Sequence, residues 1–313
     1  MNSYNCFHSA LYEVLYPYYK EKTHLLINNR WQFFYNNDSN YSYDKRICGE
    51  YFLPYDHCFL KGLNDFMHIQ TRFYHNQTMN SLIDKIHDKG YAYLFFNKNQ
   101  LGDQNSNVKC VTTIKVNELC TESVLLNGFD DDINELRCIS KNRFINGWFN
   151  ASEFGFLNRC IIDIHVQSVA SQQDIRAFAL NNLKSSSKAF LSGWTDRQNL
   201  YGVSGLLALS EGLRAKKYNG VQFPYDMASF IYFIIRERQL VGEVLADLLP
   251  AQGKKISAEI HSIIDMWKKV RLSLFVIYMR KQIEAISSIS EQIENIKIHE
   301  INLLNQLLLI LGD

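Results

Sequence analysis

Long apolar runs are missing from this chain. None in the 313 residues reaches about 18, the length a membrane-spanning helix needs, so no bilayer span is expected. A charge excess is missing too: Lys and Arg total 33 against 32 Asp and Glu, a formal net charge of +1, which argues against nucleic-acid binding through a basic face. Cysteine pairs are absent. Seven Cys (Cys6, Cys48, Cys58, Cys110, Cys120, Cys138 and Cys160) make an odd set with no C-x-x-C spacing. Neither a structural zinc site nor a disulfide framework is expected from that set; reduced thiols in a cytoplasmic protein are. The opening MNSYNCFHSALYEVL lacks a basic stretch leading into an apolar one, so no signal peptide is expected. Glycine-rich nucleotide loops, the HExxH zinc pair, the GxSxG elbow and the EF-hand loop are all absent. Proline is scarce, at 4 residues. The balance is aromatic, with 18 Tyr and 20 Phe inside a hydrophobic fraction of 47%, enough for a sizeable core.

The pattern changes near residue 170. Before it, short aromatic and β-branched segments alternate with Asn, Asp and Gly. Cys6 to Tyr16 reads as a helix with Leu11, Val14 and Leu15 on one face, and Leu60–Phe66 and Met79–His87 also read as helical. Arg30–Tyr35, Tyr91–Asn97, Lys109–Val116, Glu122–Phe129, Glu135–Ser140 and Cys160–Val166 read as strands. Asp130-Asp131-Asp132 reads as a solvated hairpin turn, and Asn150 as the cap of a short helix. After Ser171 the apolar period is 3.6. Helices are expected over Ser171–Leu183, Tyr201–Lys216, Pro224–Leu249 and Lys254–Ser287, with a last one to about Leu309. The expected layout is an α+β domain over 1–170 and a helical domain over 171–313. In the last helix Ile286, Ile289, Ile293 and Ile296, continuing to Ile301 and Leu304, form an apolar stripe. It suits packing against neighbouring helices or, alternatively, a homodimer seam.

Cys6 is the residue whose position carries most chemistry. It opens the first apolar-periodic helix, with Asn5 before it as a capping side chain. A thiol in a first helical turn meets unpaired backbone N–H groups and the positive end of the helix dipole, which favour the thiolate. The same donors suit an oxyanion on an attacked acyl group. The competing reading is a small buried hydrophobe. Such a nucleophile usually works with a His base. His8 lies about 200° around the helix from Cys6 and cannot face it. His57 and His75 stand in polar stretches. Arg236-Glu237-Arg238, set inside the apolar FIYFIIRERQLVGEVL, is either a solvated stripe or a paired polar network, because burying unpaired charge is costly. A structural role is the preferred reading over recognition of a substrate carboxylate or phosphate.

Several stretches together resemble the butirosin biosynthesis protein H N-terminal-like family, which has a papain-like fold. Asn5-Cys6-Phe7-His8-Ser9-Ala10-Leu11 resembles its nucleophile helix, and Trp31-x-Phe33-x-Tyr35 the aromatic strand that follows. Leu82–Phe96 (LIDKIHDKGYAYLFF) and Glu122–Asp132 (ESVLLNGFDDD) resemble its later helix–strand and strand–turn. Tyr201-Gly202 and Ile235–Gln239 resemble motifs of its C-terminal half. The resemblance implies a nucleophile helix packed on an antiparallel sheet. It implies that Cys6 takes an acyl group from a phosphopantetheine-linked thioester on an acyl carrier protein and passes it to an amine, forming an amide in natural-product biosynthesis. No cofactor or metal is implied. Asn5, Trp31 and His57 are the implied substrate-side residues.

The chain departs from the family pattern at two places. Counting back six residues from Gly128 puts Glu122 where the family has its catalytic His, and the position of the family Asp falls near Ser140. Three readings follow. Glu122 acts as base for a reaction that needs little base catalysis. A remote His such as His57 or His75 takes over. Or the chain is a degenerate scaffold that docks a partner without chemistry. Peptidase activity ranks below these, since amide hydrolysis most needs the missing His.

Overall fold

The computed structural model describes residues 6–36, 54–74, 84–85, 87–89, 92–97, 111–119, 123–130, 143–150, 160–196, 199–215 and 223–312. In chain order the helices are α1 (Cys6–Tyr19), α2 (Thr23–Ile27), α3 (Pro54–Met67), α4 (Gln172–Ser192), α5 (Gly202–Arg214), α6 (Phe223–Leu248), α7 (Gly253–Arg280) and α8 (Ser288–Ile310). The strands are β1 (Phe34–Asn36), β2 (Ile69–Tyr74), β3 (Ala92–Asn97), β4 (Val111–Leu119) and β5 (Ser123–Asp130). They continue with β6 (Arg143–Asn150), β7 (Cys160–Val166), β8 (Thr195–Asp196) and β9 (Asn199–Tyr201). The chain is α+β and forms two compact units, Met1–Thr23 with Cys58–Ser171 and His24–His57 with Gln172–Asp313. The second unit thus takes a segment from the N-terminal half that a single cut at 170 assigns to the first.

The first unit is built on a six-stranded antiparallel sheet in the order β2-β7-β3-β4-β5-β6. β3 to β6 form a meander, and β7 returns to pair between β2 and β3. The β4–β5 register slips between Val116 and Glu118, a bulge that adds local twist. Helix α1 packs on β4 and β7. Its buried face is Leu11, Leu15 and Tyr19, spaced by fours, with Ala10 and His8 beside them. The Tyr19 hydroxyl accepts from the Ala170 N–H at 3.3 Å and donates to the Ser168 carbonyl at 3.5 Å, tying the end of α1 to the chain leaving β7. Burial pushes the Tyr19 phenol above its ordinary value, against the opposing pull of the Ala170 bond. In β7, Asp163 pairs with Lys85 at 3.0 Å and with Lys89. Burial raises the Asp163 carboxyl, but the two ammonium groups outweigh it and hold the group below the ordinary carboxylate value. The expected strand at Glu135–Ser140 lies outside the described residues. β5 pairs with β6, whose last described residue is Asn150, and the short helix expected after Asn150 lies outside the described residues.

The second unit is helical, with a small sheet in the order β1-β9-β8. Helices α6 and α7 pack along each other, and α8 packs on α5, α7 and α4. The apolar spacing explains them. On α7 Ile256, Ile260, Ile263, Ile264, Trp267, Val270 and Leu274 are all buried at intervals of three and four. On α8 the stripe Ile289, Ile293 and Ile296 is fully buried within the chain, with Ile286 just before it. That side is already covered by the chain's own helices and is not an open dimer seam. The stripe runs on through Glu300, Leu303, Leu304 and Leu307, not through Ile301. Gly202, at φ +57°, needs to be glycine: it donates its N–H to the Phe33 carbonyl at 2.9 Å, and an added Cβ there would overlap the Phe190 backbone.

Candidate functional site

Cys6 is the first described residue of α1. His8, two residues on, is fully buried and stacks on Phe59 with ring centroids 5.9 Å apart. It serves the packing of α1 on α3. Asn5, Glu122 and Ser140 lie outside the described residues. His57 belongs to the first turn of α3. Of the other His, His24 meets Asp247 at 3.3 Å and His165 is exposed on β7, opposite Gln70 of β2.

Trp31 departs from the expected substrate-side role. It sits in the second unit, 1% exposed, and its indole N–H donates to Glu300 Oε2 at 3.2 Å. Nor is it in a strand; only Phe34–Asn36 pairs, and residues 29–33 are an irregular buried segment. Buried irregular backbone must find its hydrogen bonds among side chains. Here the Trp31 N–H donates to Ser186 Oγ at 3.0 Å, and the Gln32 N–H to Glu237 Oε1 at 2.8 Å. Asn29 is held through its side chain, which donates to the Leu25 carbonyl at 2.6 Å and accepts from Asn182 at 3.2 Å.

Around that segment lies a buried charged network. Arg238 and Glu300 are both 0% exposed. They meet fork to fork, Nε to Oε1 at 3.1 Å and Nη2 to Oε2 at 3.0 Å. Trp267 donates its indole N–H to Glu300 Oε1 at 3.0 Å, so the carboxylate accepts four hydrogen bonds. The Arg238 guanidinium lies 4.1 Å from the Trp31 ring centroid and also bonds Glu237. Desolvating such charges costs several kcal/mol per ion, which the fork-to-fork geometry and the four hydrogen bonds at Glu300 oppose. Burial pushes the Glu237 carboxyl up to about 7, against the pull of Arg238, the Gln32 N–H and Arg30. Every nitrogen of Arg238 is engaged within the core, so Glu237 and Arg238 supply an internal clamp and Arg238 reads no substrate carboxylate or phosphate. Glu300 escaped the sequence reading. Its signal was an acid at a core position of an otherwise aliphatic stripe.

Among the described residues, no three His, Cys, Asp or Glu side chains gather as a metal-binding group, and no helix is long and apolar enough to cross a membrane. No protein-family model matches the chain, and no curated protein matches it either.

Proposed function

We propose that the first unit is a papain-like domain of a cytoplasmic protein, in which Cys6 carries out acyl transfer from a thioester to an amine. One observation carries the reading: Cys6 stands in the first described turn of a helix that packs on an antiparallel sheet. The Cys6 thiolate attacks the thioester carbonyl, the first-turn N–H groups stabilise the oxyanion, and the carrier thiolate leaves. An amine then attacks the Cys6 acyl thioester. The amide forms, the Cys6 thiolate is released, and the amine proton passes to solvent or to the carboxylate of Glu122. A thioester is already activated, so this chemistry asks less of a base than peptide hydrolysis does. The acyl donor is a carrier-protein thioester of the kind used in natural-product assembly.

Intact-protein mass spectrometry after incubation with a panel of acyl-carrier-protein thioesters tests the proposal. A mass gain of one acyl group, absent in Cys6→Ala and discharged by added amine, is the expected result. An unmodified chain across the panel would favour the second reading, a docking protein of the same kind of pathway without chemistry. That reading is supported by the acid at position 122 and by the burial of His8 against Phe59.

A further inference from the structure

Helix α7 buries one side in the helical unit, and its outer side changes character along its length. Through Ser262, Asp265 and Lys268 that outer side is polar, as a solvated helix face should be. Its last two turns are not. Leu272 is 64% exposed, Val276 39% and Met279 76%, and their spacing of four and three puts them in one row. Cations frame the row. At 3.6 residues per turn, Lys268 and Lys269 flank its beginning on either side, within roughly 60° of its midline, and Arg280 stands beside its end. All three are exposed, and Lys268 also meets Asp265 at 3.0 Å.

Solvent alone gives no reason for a Leu, a Val and a Met in one exposed row between lysines. Charge selects among occupants. A second copy of the chain would set two net-positive patches face to face, which like charges disfavour. The row is one helix wide, with charged residues on its flanks, which matches the anchor spacing of a helix and not a broad plane. We propose that the outer face of α7 at Leu272, Val276 and Met279 docks an acidic amphipathic helix of a partner protein. Apolar anchors of that helix lie along the row, and its carboxylates meet Lys268, Lys269 and Arg280.

The test uses the full chain and a fluorescent, helix-stabilised peptide with Leu at matching intervals and Glu on its flanks, titrated by anisotropy. A peptide with Lys at every Glu position and anionic phosphatidylserine vesicles serve as comparisons. The Glu peptide should bind saturably and at least about tenfold tighter than the Lys peptide, with affinity falling as salt rises. Leu272→Ser with Met279→Ser should weaken it about tenfold, as should Lys268→Glu with Lys269→Glu, while the helical circular dichroism of both variants is unchanged. Equal binding of the two peptides, absence of saturable binding, variants that bind like the parent, or binding to vesicles alone would each overturn the proposal.

Discussion

Replacing Glu300 by alanine removes a carboxylate that four donors share and leaves Arg238, at 0% exposure, with Glu237 as its one remaining counter-charge among the described residues. Breaking a buried ion pair from one side costs about 3–5 kcal/mol. The indole N–H groups of Trp31 and Trp267 lose their acceptor as well, at about 1–3 kcal/mol each if nothing replaces it. These costs overlap, because water entering the space left by the carboxylate serves several donors at once. The expected loss is therefore about 4–6 kcal/mol, not the sum. Against a total stability of about 5–15 kcal/mol that is a large fraction, and the melting temperature should drop by about 10–20 °C. Urea unfolding followed by far-ultraviolet circular dichroism is the suitable assay, since two of the four Trp are in the network and their fluorescence would change on its own. Arg238→Ala and the double variant complete a cycle. Loss of both partners should cost at least about 2 kcal/mol less than the two single losses added together. A single-variant loss below about 1 kcal/mol, or strict additivity, would refute the description of this network as a desolvated clamp.

Glu237 gives a pH signature. Its folded-state pKa of about 7 lies above the ordinary 4.5, so its contribution is fully present below about pH 4.5 and is lost as pH rises through about 7. The span is at most about 3 kcal/mol. The urea midpoint should therefore fall between about pH 5 and 8, and Glu237→Gln should flatten that fall. Asp163 has the opposite sign. Its carboxyl is held below its ordinary value of 3.8, so its contribution is present above that pH and lost as pH falls through the lower folded-state value. Asp163→Asn should speed hydrogen exchange at residues 84–89, whose Lys85 and Lys89 it holds. Gly202→Ala should destabilise by about 2 kcal/mol or more, because the methyl group meets the Phe190 backbone and the residue must keep a positive φ; equilibrium unfolding checks it.

Local patterns in the sequence account for much of this architecture. The expected strand Cys160–Val166 is β7 residue for residue, and the break expected at Pro250–Gly253 separates α6 from α7. A helix's period is written in neighbouring residues, which makes it readable without knowing the fold. β6 was missed for a local reason. Its centre is Asn146-Gly147, ordinarily a hairpin turn, yet the strand runs straight through and pairs those residues with Asn127 and Leu126. The aromatic run at Trp31–Tyr35 reads as strand from composition, but most of it is irregular backbone tied down by Ser186 and Glu237. Those partners come from helices far along the chain: Trp31 and Glu300 are 269 residues apart. No local pattern encodes such a contact. The sequence did show that Arg236-Glu237-Arg238 needed partners if buried; which partners, only the packing of α6, α7 and α8 decides.

The claim that Cys6 is a poised nucleophile meets its most direct test in the rate at which its thiol is alkylated. The folded chain and a synthetic peptide of the same local sequence are treated with iodoacetamide at neutral pH, and modification of Cys6 is followed by peptide mapping. A thiol favoured as thiolate by the start of a helix should react at least about tenfold faster in the folded chain than in the peptide. A rate equal to or below that of the peptide would contradict the account.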